Sequence, residues 1–182
     1  MPIDARQRLI AVLRALSVKR ERVILASGRE SDFYADVRQT TLNAEGAALV
    51  AGLVLDRLKP GIVGVGGPVT GADPIAGAVA ALSWLRGTPL HGFMVRKEPK
   101  GHGLRQWIEG RASLPDGSAV CVVEDTTTTG GSLLTAIKRI EEEGLLVAQC
   151  ITVVDRQEGA AERLAERGYL LEPLVTRQDL ET

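Results

Sequence analysis

A doubly wound α/β domain built on a mainly parallel sheet is what this sequence predicts, and three observations predict it. Apolar runs at residues 62–65, 92–95, 119–123, 147–154 and 170–175 lack a polar alternation, as suits strands covered on both faces. Segments of helical periodicity lie between most of them, so strand and helix alternate as parallel strands joined by crossovers require. The unusual polar stretches, rich in Gly, Thr and charge, follow strands, at the end of such a sheet where ligands bind.

Each element follows in order. Residues 4–16 set Leu9, Val12, Leu13 and Leu16 on one helical stripe, with Asp4 as cap. Residues 23–26 read as a strand, 27–31 as a turn and 33–37 as its hairpin partner. Asn43 caps a helix over 44–58, which Pro60 and Gly61 end. After the strand at 62–65 and a loop at 66–72, Asp73 caps a helix with Pro74 at its first position, ending near Gly87. The strand at 92–95 leads into a polar loop reaching Gly110, and Pro115, Asp116 and Gly117 form a turn. The strand at 119–123 stops at Glu124 and Asp125, and a helix starts at Ser132 and Leu133 and ends at Gly144. A strand at 147–154, a helix at 160–167 and a strand at 170–175 complete the alternation. The N-terminal helix and hairpin lie outside it and are expected to form a small lid within one domain, with residues 1–42 contributing to the site.

At 182 residues, with 45% hydrophobic and 25% charged residues, the chain suits one soluble domain with a sizeable core. A formal net charge of -1 argues against a surface built for nucleic acid or membrane. Cys121 and Cys150 sit inside apolar runs and read as core residues, not as a disulfide or metal pair, consistent with a reducing compartment. Asp4, Arg6 and Arg8 precede any apolar stretch, unlike a secretory signal, and no apolar run approaches the roughly 20 residues of a membrane span. The expectation is a cytoplasmic protein.

The chemistry concentrates after residue 123. Glu124, Asp125, Thr126, Thr127, Thr128, Thr129, Gly130, Gly131 and Ser132 join a buried strand to a helix. Unpaired N–H groups in a helix's first turn and the helix dipole favour an anion there, and the glycines let backbone approach a phosphate. The acid pair is the discriminating detail. A simple phosphate pocket would exclude carboxylates, whereas a sugar phosphate offers hydroxyls that donate to them. No Gly-Lys-Ser/Thr follows, so this is not a Walker loop. A dinucleotide fingerprint at Gly64 and Gly66 fails because Val69 stands where glycine is needed. Arg96, Lys97, Lys100 and His102, with Gly101, Gly103 and Pro99 among them, form a second cluster suited to a loop that closes on a polyphosphate.

These stretches carry a resemblance. The acid–Thr–Gly segment resembles the phosphoribosyl-pyrophosphate (PRPP) motif of type I phosphoribosyltransferases. The Arg96-Lys97-x-x-Lys100-x-His102-Gly103 segment resembles the catalytic loop of their orotate branch. Ser27, Gly28, Arg29, Ser31, Tyr34 and Asp36 resemble its hood, and the segment from Gly66 to Pro74 resembles a pyrophosphate loop. The resemblance implies transfer of phosphoribose from PRPP to orotate, with Mg2+ held mainly by PRPP, in a homodimer whose loops are shared between subunits. It implies Lys100, His102 and Asp125 as catalytic. Arg96, Lys97, Lys100 and His102 would bind pyrophosphate, while residues 124–132 hold the ribose 5-phosphate, with Glu124 and Asp125 on the ribose hydroxyls. Thr128 and Arg156 would contact orotate, Arg156 by its guanidinium fork on the carboxylate.

Two positions depart from that pattern: Ala26 replaces a common lysine, with Arg38 the nearest later cation, and Thr70, Gly71, Ala72 and Asp73 supply no cation to the pyrophosphate loop. His91 reads as structural, and Trp84 and Trp107 as packing or loop anchors. The competing readings are a phosphoribosyltransferase for another base, and a regulatory nucleotide- or RNA-binding protein on the same fold. A metal hydrolase lacks clustered His and Cys ligands.

Overall fold

The structure is a computed structural model, described for residues 4–19, 23–24, 30–31, 34–99 and 106–182. It opens with helix α1 (Ala5–Leu16) and four two-residue strands, β1 (Val18–Lys19), β2 (Val23–Ile24), β3 (Glu30–Ser31) and β4 (Tyr34–Ala35). Two short helices' worth of chain, α2 (Arg38–Thr41) and α3 (Ala44–Leu55), lead into β5 (Ile62–Pro68) and α4 (Asp73–Leu85). There follow β6 (His91–Val95), β7 (Ile108–Glu109), a 3-10 turn (Arg111–Ser113), β8 (Ala119–Thr127) and α5 (Gly131–Glu142). The chain closes with β9 (Leu146–Asp155), α6 (Ala160–Ala165), β10 (Leu171–Thr176) and α7 (Arg177–Glu181).

The main sheet runs β10-β9-β8-β5-β6-β7, parallel except for β7. Chain order reverses between β5 and β8, whose crossovers leave in opposite directions and open a crevice at their C-terminal ends. Alternation along β8 sends Cys121 and Val123 to the face covered by α1, α3 and α4, with Leu13, Val50, Val54 and Val79. Val120 and Val122 go to the opposite face, under Leu133, Ile137 and Ile140 of α5 and Leu164 of α6. Both cysteines are free and buried, and burial pushes the Cys150 thiol up to about 12 and that of Cys121 higher than usual as well. They are core residues.

Several expectations need correction. The strand read as 119–123 continues through both acids to Thr127, because β9 runs alongside and its ladder pairs Glu124 with Thr152 and Thr127 with Asp155 regardless of side chain. Strand β5 likewise reaches Pro68, pairing with Val95. The helix after Asn43 stops at Leu55, short of residue 58, although Asn43 does cap it, accepting from the N–H groups of Glu45 at 3.0 Å and Gly46 at 3.1 Å. Asp73 is the first residue of α4 and makes no cap bond; Ala72 is the N-cap.

The hood pairs differently from the expected hairpin. β4 lies against β1, with Val18 opposite Ala35, while β2 pairs with β3, inside the stretch read as a turn. Leu16 is exposed and Ile10 takes its place in the buried stripe. Helix α1 is not part of a separate lid, since Leu9, Ile10 and Leu13 share a core with Ile151 and Leu174. Arg6 ties it to the C-terminus through Asp179 at 2.6 Å. Trp84 is 72% exposed, because the buried stripe of α4 is Ile75, Ala76, Val79 and Ser83 and residue 84 falls off it. The sequence reading places no element at β1, α2, the 3-10 turn, β7 or α7; α7 is held by a capping box between Thr176 and Asp179.

Candidate active site at the sheet's topological switch

Because Glu124 and Asp125 are consecutive on one strand, they point to opposite faces of it. Glu124 lies on the α5 side, 5% exposed, and its Oε2 accepts from the Ser132 hydroxyl at 2.9 Å. Burial pushes its carboxyl up to about 8, against the pull of the Ser132 bond. Asp125 lies on the other side, against Gly71 of the loop after β5; a Cβ at residue 71 would collide with its carboxylate. Burial raises Asp125 too, while its Oδ1 accepts from Thr126 N–H at 2.7 Å. The pair thus straddles the strand end, a carboxylate on each side of whatever lies over it.

The turn into α5 is built to leave donors free. Gly130 adopts φ 74 as N-cap, a conformation cheap only for glycine, and contributes no side-chain cap. The N–H groups of the first turn are therefore open to an anion. Of the four threonines, Thr127 is buried and donates its hydroxyl to Asp155 at 3.3 Å, so that hydroxyl is not available to a phosphate as expected. Thr126, Thr128 and Thr129 remain at the surface of the turn. Arg163 reaches the Thr129 carbonyl at 3.4 Å and braces it from α6.

A cleft of about 420 Å³ opens beside Glu124, lined also by Val69, Arg96, Lys97, Ser132 and Arg139. Sharing its Val69, Arg96 and Lys97 wall, a second of about 490 Å³ includes Thr70 and Asp73. The structure thus brings Arg96, Lys97, Glu124, Gly131 and Ser132 to one place. Lys100 and His102 lie outside the described residues. The stem of their loop is firmly made: Arg96 N–H donates to the Trp107 carbonyl at 2.9 Å and its guanidinium pairs with Glu109 at 2.9 Å. Trp107 stacks on Arg139 of α5 at 3.8 Å, so it is a loop anchor as expected. Asp73 is raised by burial, and its Oδ1 is buried without a partner among the described residues.

On the hood side, Asp36 pairs with Arg38 at 3.0 Å. Burial works to raise Asp36, but bonds from Gln39 and Arg38 outweigh it and hold the group low. The charges of Asp36 and Arg38 both reach Asp125. Of the expected hood motif, Ser27, Gly28, Arg29 and Ala26 lie outside the described residues. Arg156, at the end of β9, is anchored by its N–H to the Thr127 carbonyl at 2.9 Å, and its guanidinium meets Glu158 at 2.7 Å.

The chain that carries this site has known relatives. Residues 39–168 match the phosphoribosyl transferase domain family. Orotate phosphoribosyltransferase of Sorangium cellulosum is 45% identical over 176 residues, 96% of this chain and 92% of the relative. The enzyme of the same name from Bradyrhizobium sp. is 47% identical over 178 residues, 96% of each. The chain belongs to the orotate phosphoribosyltransferase family. A solved member, Mycobacterium tuberculosis orotate phosphoribosyltransferase in complex with PRPP, superposes with a TM-score of 0.81 at 37% identity, covering 98% of this chain and 100% of that one. Within this orotate phosphoribosyltransferase fold, sequence reasoning missed the pairing of Glu158 with Arg156, the Trp107–Arg139 stack and the reach of Asp36 to Asp125. The first and last had a signal, opposite charges two residues apart at 156/158 and 36/38; the stack depends on side-chain directions that spacing does not encode.

Proposed function

We propose that the chain transfers the 5-phosphoribosyl group from PRPP to orotate, giving orotidine 5'-monophosphate and pyrophosphate in de novo pyrimidine synthesis. The observation that carries this is the uncapped N-terminus of α5 beside two carboxylates straddling one strand end, at the sheet's switch point. A phosphate suits the first and ribose hydroxyls the second. Ribose then lies over β8, its C1 toward the loop after β5. Pyrophosphate leaves with the electron pair of the C1–O bond, and the anionic ring nitrogen of orotate forms the new bond to C1. Arg96, Lys97, Lys100 and His102 stabilise the charge on the departing oxygens, and loop closure excludes water from the cationic ribose.

Thr126, Thr128, Thr129, Gly130, Gly131 and Ser132 hold the 5-phosphate, and Thr128 and Arg156 receive orotate. Residues 1–42 contribute to the base site. Mg2+ bound with PRPP would supply countercharge for the diphosphate, and the hard carboxylate oxygen of Asp73 beside Thr70, unpartnered among the described residues, would suit such an ion. We take the working unit to be a homodimer with shared loops, acting in the cytoplasm. Among the described residues no helix is long and apolar enough to cross a membrane.

The test is consumption of the free pyrimidine with PRPP, with and without Mg2+, against a panel of bases. Turnover of orotate alone is expected; preference for uracil or a purine would overturn the assignment. Arg156→Ala should raise the orotate KM by about two orders of magnitude and leave that of PRPP nearly unchanged, as loss of a bidentate charged contact predicts.

A further inference from the structure

Arg156 is an unusual arginine for a loop. Its side chain is only 10% exposed, yet Glu158, at 2.7 Å from Nη2, is among the described residues the only carboxylate paired with it, and its Nε is buried without a partner among those residues. A buried guanidinium with unmet donors costs free energy unless something completes it. The backbone beneath it has little freedom. Arg156 N–H is bound to the Thr127 carbonyl, Gln157 N–H donates to Asp155 Oδ1 at 2.9 Å, and Gln157 holds φ 57. The same Asp155 Oδ1 accepts from Thr127, which joins this turn to the end of β8. What the backbone leaves undetermined is the rotation of a long side chain, and the Glu158 contact determines it.

We infer that Glu158 is a positioning residue that sets base specificity: it holds one edge of the Arg156 guanidinium so that the remaining donors are presented, in a fixed plane, to a carboxylate-bearing base. This rests on the reading that Arg156 receives the orotate carboxylate. Fork-to-fork recognition depends on the orientation of the guanidinium plane, so an arginine free to swing loses much of its advantage over a point charge. Glu158 also tempers the arginine's charge. A base without a carboxylate is thereby not retained by attraction to a bare cation, while a carboxylate that can take two parallel bonds still is.

Glu158→Gln and Glu158→Asp, each alone and with Arg156→Gln, test this by steady-state kinetics in both substrates. Glu158→Gln is expected to raise the orotate KM roughly ten- to thirtyfold, with the PRPP KM changed less than about twofold. Glu158→Asp should recover part of the loss. In the Arg156→Gln background, Glu158→Gln should add nothing, because the residue acts through the arginine. An unchanged or lowered orotate KM in Glu158→Gln overturns the inference, as does an additive double variant or an equal rise in both KM values, either of which marks a merely structural role for the turn. If Arg156→Gln itself leaves the orotate KM unchanged, the orotate reading of Arg156 fails, and the inference with it. A raised KM in Arg156→Gln with a normal one in Glu158→Gln sinks the positioning role alone.

Discussion

Glu124 is buried deeply enough that its carboxyl stays protonated well above the usual range, up to about 8. An acid whose folded pKa exceeds its unfolded value binds its proton more tightly when folded. Between about pH 4.5 and 8 the folded protein therefore holds a proton that the unfolded chain has lost, and stability falls as pH rises through that window. The cost at pH 8 is on the order of 4 kcal/mol. Burial pushes Asp125 in the same direction and adds to the slope. Urea unfolding at intervals from pH 5 to 8 should show the wild type losing stability and Glu124→Gln losing distinctly less. A parallel pair of curves would mean that Glu124 is ionised in the free protein. The raised value also has a use in the proposed reaction. Ribose hydroxyls donating to Glu124, with the Lys97 charge nearby, would favour its ionised form, so binding of the proposed substrate would lower this raised value.

Among the helices, α3 and α5 have opposite N-termini, and the contrast separates structure from function. Asn43 satisfies two first-turn N–H groups of α3, so Asn43→Ala should cost about 1 kcal/mol of stability and leave both KM values alone. Gly130 leaves the first turn of α5 open, and a Cβ there would press on Leu164 Cδ1 at 2.8 Å in a left-handed conformation. Gly130→Ala should cost about 1–2 kcal/mol and also raise the PRPP KM about tenfold, sparing orotate, as thermal unfolding and kinetics in each substrate would show. A pure stability loss would take α5 out of the phosphate site. This is also the scale at which the sequence was most legible. Uninterrupted apolar runs marked β5, β6, β8, β9 and β10, because strands buried on both faces must be apolar throughout. The same logic misplaced the ends of β5 and β8, where the backbone ladder continues under polar side chains or glycine. β7, two residues long with only Ile108 buried, has no pattern to read, and the two-residue strands of the hood pair by geometry rather than by composition. Glu124 and Asp125 were recognisable as site residues, yet their separation onto two faces became meaningful only once β8 was seen to run through them.

At the scale of the whole molecule, the cationic loop starts at β6 and returns at β7, the edge strand of the sheet, while the acids it is proposed to serve lie three strands inward on β8. A loop borne on a sheet edge is well placed to cross to a neighbouring copy, and a two-fold dimer would make the exchange reciprocal. Lys100→Ala should lower turnover by about two orders of magnitude with the fold intact, as loss of one cationic contact to the leaving group predicts. Asp125→Asn should be similarly impaired, but by a defect in the body of the subunit. If Lys100 serves the partner's site, a hybrid of the two variants contains one site carrying both defects and one carrying neither. Random pairing makes half the dimers hybrid, and half of their sites native, so a co-refolded equal mixture should regain about a quarter of wild-type activity. If each loop serves its own subunit, every site in every dimer keeps one defect, and mixing restores nothing. The measured recovery therefore decides between exchange and self-service.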